Sequence, residues 1–180
     1  VGSNDETAPF IDQSYKSFLK ILENHLKIQP YLLGPTPSSC DFAVYGQLTQ
    51  LIGFDPTPRK IAHELAPRVI GWVRSLEDRS GLEVKESNSK ISDLPQTIHD
   101  LFKEMSTSYV PTMIANKKAI EKGSDEWEID LDKGKWKQKS FPYQAKCLAW
   151  IKEEYEKLDI DKKEEVFSFL QLNHCESLVV

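Results

Sequence analysis

Ser38, with Asp41 three residues on and an apolar run behind it, constrains this chain more than any other feature of the sequence. A serine hydroxyl at a helix start can accept the amide three residues in. An acid at that third position can reach back to the serine's own amide, so two otherwise orphaned donors are satisfied together. The negative charge of Asp41 also suits the positive end of the helix dipole. Phe42 is placed to close over Pro37 as a hydrophobic staple. Beyond the cap, Phe42, Ala43, Val44, Tyr45, Leu48, Leu51 and Ile52 leave almost no polar face. A helix apolar nearly all round belongs in the middle of a domain, so 38–53 is predicted to be the central helix.

The rest of the chain keeps mostly helical spacing. Ile11, Tyr15, Phe18, Leu19, Leu22 and Leu26 predict an amphipathic helix over 8–29, with Asp12, Lys16, Lys20, Glu23 and Lys27 on its solvated face. Residues 31–37 read as a loop through their Gly and Pro. Asp55-Pro56-Thr57-Pro58 restarts the chain into a short helix near 58–65, and Pro67 opens the next, over 67–78. Residues 79–91 are a polar loop. Helical spacing resumes near Asp93, is interrupted at Pro111 and continues over 112–122. At Trp127, Ile129 and Leu131 the period drops to two against Glu126, Glu128, Asp130 and Asp132. With the turn signal Asp132-Lys133-Gly134 and Trp136 beyond it, this predicts a β-hairpin over 126–140. Helices over 142–158 and 161–171 follow, the second opened by a capping pair of Asp161 and Glu164. The predicted fold is mainly α, a bundle of six or seven helices with one small hairpin. Residues 8–180 form one domain, and 1–7 read as a disordered or artificial start.

Several function classes are excluded by what is missing. A net charge of −5 supplies no basic field for nucleic acid or anionic lipid, and no apolar run reaches the roughly 18 residues of a membrane span. Cys40, Cys147 and Cys175 are odd in number and widely spaced, which suits a reduced cytoplasmic protein. No metal site is expected, because the four histidines are scattered and no zinc-type spacing occurs. Dinucleotide, phosphate-loop and nucleophile-elbow signatures are also absent. The chain opens on Val1 rather than Met, which reads as a start inside a longer protein.

Three blocks in order resemble one family. Pro37-Ser38-Ser39-Cys40-Asp41-Phe42-Ala43-Val44-Tyr45-Gly46-Gln47-Leu48 is similar to the P-S-x-A-D-F-x-x-Y-G-Q-L block in the all-helical C-terminal domain of bacterial-type soluble glutathione transferases. Asp55-Pro56-Thr57-Pro58-Arg59 and Ala66-Pro67-Arg68-Val69-Ile70-Gly71-Trp72-Val73 resemble its continuation. Phe141-Pro142-Tyr143-Gln144-Ala145-Lys146-Cys147-Leu148-Ala149-Trp150 resembles the late F-x-Y-Q-x-K-C-L block. Members of that family begin with a thioredoxin-like domain that holds glutathione and carries the activating residue. Nothing ahead of residue 8 can be such a domain.

The resemblance therefore implies a C-terminal half. It would form one wall of a hydrophobic pocket for the electrophile, inactive alone and completed by a thioredoxin-like domain in a homodimer. Glutathione would be the co-substrate of the complete protein, and no cofactor or metal would bind this half. No catalytic residue is assigned. Tyr45, Tyr109, Trp136, Tyr143, Gln144 and Lys146 are the candidate pocket residues, with Ser38 and Asp41 as the structural cap. Cys40, Cys147, Trp72 and Trp150 are expected in the core. A non-catalytic assembly module of the same fold is the alternative reading, and a helical domain unrelated to transferases is the third.

Overall fold

The computed structural model describes residues 3–5, 7–83, 90–132 and 134–180. The middle of the loop expected over 79–91 and the turn residue Lys133 lie outside the described residues. The elements are α1 (Ala8–His25), α2 (Ser39–Gly53), α3 (Pro56–Leu65), α4 (Pro67–Leu76), α5 (Gln96–Thr107), α6 (Tyr109–Glu121), β1 (Glu126–Leu131), β2 (Gly134–Lys139), α7 (Pro142–Glu156) and α8 (Ile160–Leu172). Short 3-10 turns cover Ile91–Asp93 and Glu176–Leu178. The protein is mainly helical with one antiparallel hairpin. It divides into two compact units, one of residues 14–101 and one of residues 1–13 with 102–180.

In the unit of residues 14–101, α2, α3 and α4 pack on one another around Leu48, Ala62, Val69 and Leu76, all at most 2% exposed. Asp55 caps α3 by accepting the Thr57 amide at 3.1 Å. One residue, Ala66, separates α3 from α4, whose first position is Pro67. Proline fits there because that position has no intrahelical use for an amide proton. Serine and threonine caps are absent from α4, and its leading amides are satisfied from a distance. Glu23 of α1 accepts Arg68 N–H at 2.8 Å and Val69 N–H at 3.3 Å, and its other oxygen takes Arg68 Nη1 at 2.9 Å. Glu23 is accordingly buried, not on the solvated face of α1 where its spacing places it.

The irregular segment 26–37 is held by side chains. His25 is fully buried at the end of α1. Its Nε2 lies 3.0 Å from Tyr31 O, an acceptor only, so Nε2 carries the proton. Its Nδ1 is hydrogen-bonded with the Thr97 hydroxyl at 2.7 Å. Gln29 donates to Tyr31 O and Leu32 O at 3.0 and 2.9 Å. Trp72 Nε1 donates to Pro30 O at 2.9 Å. Leu32 N–H donates to Asp41 Oδ1 at 2.8 Å, which fastens the loop to the start of α2.

At that start the capping box is formed, and most of its bonds converge on the acid. Asp41 Oδ2 accepts Ser38 N–H at 2.8 Å and the Ser38 hydroxyl at 2.7 Å. The expectation that α2 is buried all round is corrected. Asp41, Leu48 and Ile52 are buried, while Phe42 is 44% exposed and Phe54, just past the C-terminus, 77%. Its neighbours α3 and α4 cover one face, and apolar character alone does not recruit a second layer.

The unit of residues 1–13 and 102–180 is built around α6, which packs against α7, β1 and the 3-10 turn Glu176–Leu178. Val110, Met113, Leu148, Leu170, Cys175 and Leu178 make its buried cluster. The helix break expected at Pro111 falls earlier, at Ser108. A proline ring clashes with the carbonyl four residues back, here Thr107, so the helix ends before that clash and restarts with Pro111 in its first turn. The cap of α8 is also corrected: Asp159, not Asp161, accepts an amide, from Lys162 at 2.9 Å.

Two helix ends share one device. After α6, Gly123 N–H donates to Ile120 O at 3.0 Å and Ser124 N–H to Ala119 O at 2.9 Å. After α8, His174 N–H donates to Gln171 O at 3.1 Å and Cys175 N–H to Leu170 O at 2.8 Å. Both are Schellman ends, which need one left-handed residue. Gly123 supplies it with φ 69° and His174 with φ 59°.

In the hairpin, Glu126, Glu128 and Asp130 stand opposite Lys139, Lys137 and Lys135. Ion pairs run diagonally, Lys135 to Glu128 at 2.6 Å and Lys137 to Glu126 at 2.7 Å. Trp127, Ile129 and Trp136 share the other face. Trp127 is buried, with its indole N–H on Asn116 Oδ1 at 3.2 Å.

Candidate functional site: an aromatic ledge and two cavities

Pro142 opens α7 at a position that tolerates it. Phe141 just before it is clamped by Asn116, whose Oδ1 accepts Phe141 N–H at 2.8 Å and whose Nδ2 donates to Phe141 O at 2.9 Å. From this fixed start, positions 143, 146 and 150 fall on one helical face. The rings of Phe141 and Tyr143 lie 6.1 Å apart, and Tyr143 meets Trp150 edge-on at 6.1 Å and 90°. Lys146 Nζ sits 4.9 Å from the centre of the Trp150 ring, within cation–π range. All four side chains are exposed. Trp150, expected in the core, is 42% exposed, because Leu148 two positions earlier takes the inward direction.

Of the candidate pocket residues, the structure brings Tyr143 and Lys146 together through Trp150. Gln144 is half-buried beside them in the first turn of α7, its backbone amide on Phe141 O at 3.1 Å. Trp136 lies on the hairpin, edge-on to Phe10 at 5.5 Å, with its indole N–H on Gln138 Oε1 at 3.2 Å. Tyr109 opens α6, and burial, with Cys147 nearby, pushes its phenol above the ordinary range. Tyr45 belongs to the other unit.

A cavity of about 390 Å³ opens in the larger-numbered unit, lined by Phe102, Ile151, Tyr155, Leu158, Val166 and Leu170 among others. Its polar edge is Glu154 and Tyr155, whose hydroxyl donates to Lys163 O at 3.3 Å. Phe102, Ile151, Tyr155, Leu158, Val166 and Leu170 recur at helical spacing, the pattern of an inward stripe. Periodicity names the inward face but carries no signal of where packing stays incomplete. In the unit of residues 14–101, a second cavity of about 230 Å³ has Tyr45, Thr49 and Ile52 of α2 in its wall.

Neither the Cys40 nor the Cys175 thiol is activated by what surrounds it. Burial pushes the Cys40 thiol up, against a partly offsetting hydrogen bond with Ser38. Burial, with Glu176 adding to it, pushes Cys175 up to about 11, and its Sγ lies 3.3 Å from Phe102 O. Among the described residues no group of His, Cys, Asp and Glu is arranged to hold a metal ion, and no helix is long and apolar enough to cross a membrane. Comparison with protein-family models, curated proteins and solved structures finds nothing that matches this chain.

Proposed function

We propose that the chain is a glutathione-transferase C-terminal-like module that supplies binding surface rather than a reacting group. The observation that carries the proposal is the cavity of about 390 Å³ with its almost wholly apolar lining. That volume lies within the range of small-molecule sites, about 300–1,000 Å³. An apolar electrophile held there gains proximity and shape. The nucleophile, a glutathione thiolate, needs an activating group, and the raised Cys40 and Cys175 thiols are not one. On this reading the complete protein is a cytoplasmic homodimer with a glutathione-holding domain.

The test uses the chain with glutathione and 1-chloro-2,4-dinitrobenzene. The expected result is no conjugation above the uncatalysed rate, with saturable shifts of the Ile151, Val166 and Leu170 methyl resonances as the electrophile is titrated. Turnover by the chain alone, or absence of saturable shifts, overturns the proposal.

The exposed ledge of Phe141, Tyr143 and Trp150 favours a second reading, a non-catalytic assembly module, since aromatic residues are enriched at the centres of interfaces. The two readings part on Tyr143→Ala with Trp150→Ala. That pair leaves electrophile shifts unchanged under the first and abolishes self-association or partner association under the second.

A further inference from the structure

Three helices each turn one stripe toward the cavity of about 230 Å³. α2 contributes Tyr45, Thr49 and Ile52, α3 contributes Arg59 and His63, and α4 contributes Ile70, Val73, Arg74 and Glu77. Neighbours in the α2 and α3 sets are three or four residues apart, and the α4 set is two such pairs, Ile70 with Val73 and Arg74 with Glu77, so each lies on one face of its helix. The floor is apolar: Ile52, Ile70 and Val73 are all less than 9% exposed. The rim carries two cations, Arg59 and Arg74, against one acid, Glu77, with the His63 imidazole beside them. In a chain of net charge −5, that is a local reversal of sign.

Two further observations set this rim apart from an ordinary solvated face. Among the described residues, neither guanidinium has an ion pair or a side-chain hydrogen bond, whereas Arg68 on the same helix α4 is paired with Glu23 at 2.9 Å. The second is Phe54, a cavity-lining ring left 77% exposed beside the cationic groups. An apolar floor with an open aromatic ring suits a flat apolar body, and two unpaired guanidinium groups suit a carboxylate, which arginine meets in a planar fork. The volume equals roughly eight waters at about 30 Å³ each, which limits the ligand to a ring with a short acid arm.

We infer that this cavity is a binding site for a small amphipathic carboxylate, the apolar end on Ile52, Ile70 and Val73 and the acid on Arg59 and Arg74. The site lies wholly within one unit and does not depend on the apolar cavity or on the transferase reading.

The experiment titrates phenylacetate into the isotope-labelled chain, following the Ile52, Ile70 and Val73 methyl resonances. The neutral 2-phenylethanol, the cationic phenethylammonium and inorganic phosphate serve as comparisons. Phenylacetate is expected to bind saturably, at least about tenfold more tightly than any of the three. Added salt weakens it. Arg59→Gln with Arg74→Gln, both exposed and safe for folding, is expected to remove the preference over 2-phenylethanol. Glu77→Gln is expected to tighten binding about two- to threefold by removing the one opposing charge. Thr49→Trp, which fills the wall and leaves both arginines, is expected to abolish binding. Absence of saturable phenylacetate shifts, equal affinity for the neutral alcohol or for phosphate, or an unchanged affinity in the double arginine variant each overturns the inference.

Discussion

The side-chain amide of Asn116 pairs with both backbone groups of Phe141, 25 residues away, at 2.8 and 2.9 Å. The same oxygen accepts the Trp127 indole, so one fully buried residue joins α6, the hairpin and the start of α7. Removing the amide strands the half-buried Phe141 N–H and the buried Trp127 indole N–H, while Phe141 O keeps the Gln144 amide. Asn116→Ala is expected to cost about 3 kcal/mol, since each stranded buried group costs roughly 1–3 kcal/mol and the opened space admits some water. Urea unfolding gives the loss, and Trp127 fluorescence is expected to shift to the red in the folded variant. A loss below about 1 kcal/mol shows that the clamp is not a stabilising joint.

Glu23 and Arg68 form an ion pair whose two halves are of unequal weight. Glu23 is buried and accepts two leading amides of α4, while the Arg68 side chain is 53% exposed. Glu23→Ala is expected to destabilise by about 2–3 kcal/mol and Arg68→Ala by less than about 1 kcal/mol. Equal effects in thermal or urea unfolding contradict the view that the carboxylate acts mainly as a helix cap.

The paired Schellman ends make a controlled comparison. Gly123 meets the left-handed requirement without cost, whereas His174 carries a side chain into the same region. His174→Gly is expected to raise stability by about 0.5–1 kcal/mol, and Gly123→Ala to lower it by about 1 kcal/mol. Opposite signs at the two ends in chemical denaturation are the outcome that matters.

Cys175 makes stability depend on alkaline pH. Its thiol ionises near 9.0 when unconstrained and is held protonated to about 11 in the folded chain. Between those values the unfolded state binds fewer protons than the folded one. Stability is therefore full below about pH 9 and falls as pH rises toward about 11. The urea midpoint of the wild-type chain is expected to fall faster across this window than that of Cys175→Ala, which has no thiol to ionise. Parallel profiles exclude the thiol as the source.

What could be read from the sequence divides by range. The Ser38–Asp41 box and the alternation of Trp127, Ile129 and Leu131 are written within a few residues, so the capped helix and the hairpin were legible. Partners of Glu23, His25 and Asn116 stand 45, 72 and 25 residues away. No local pattern distinguishes such a side chain from a solvated one, and Glu23 was accordingly misplaced. The ledge is half legible: Tyr143 and Lys146 stand out at the start of α7, but helical position suggests an inward Trp150 because period alone does not choose between adjacent faces. The exposed side of α2 was hidden for a related reason, since hydropathy reports what a helix can bury and not how many neighbours reach it. The cationic rim needed α3 and α4 to converge before Arg59 and Arg74 became a pair.

The charged face of the hairpin has one more consequence. Its three acids and three lysines are evenly spaced, so sliding one strand by two residues still leaves most opposite charges facing each other. Electrostatics on that face is therefore a scale with repeating marks, and it cannot by itself select one alignment. The selection falls to the opposite side, where Ile129 of β1 stands against Trp136 of β2, and to the end of the ladder, where Leu131 pairs with Gly134. In this hairpin the many visible charge pairs are interchangeable, and one apolar pair on the other face sets the zero of the scale.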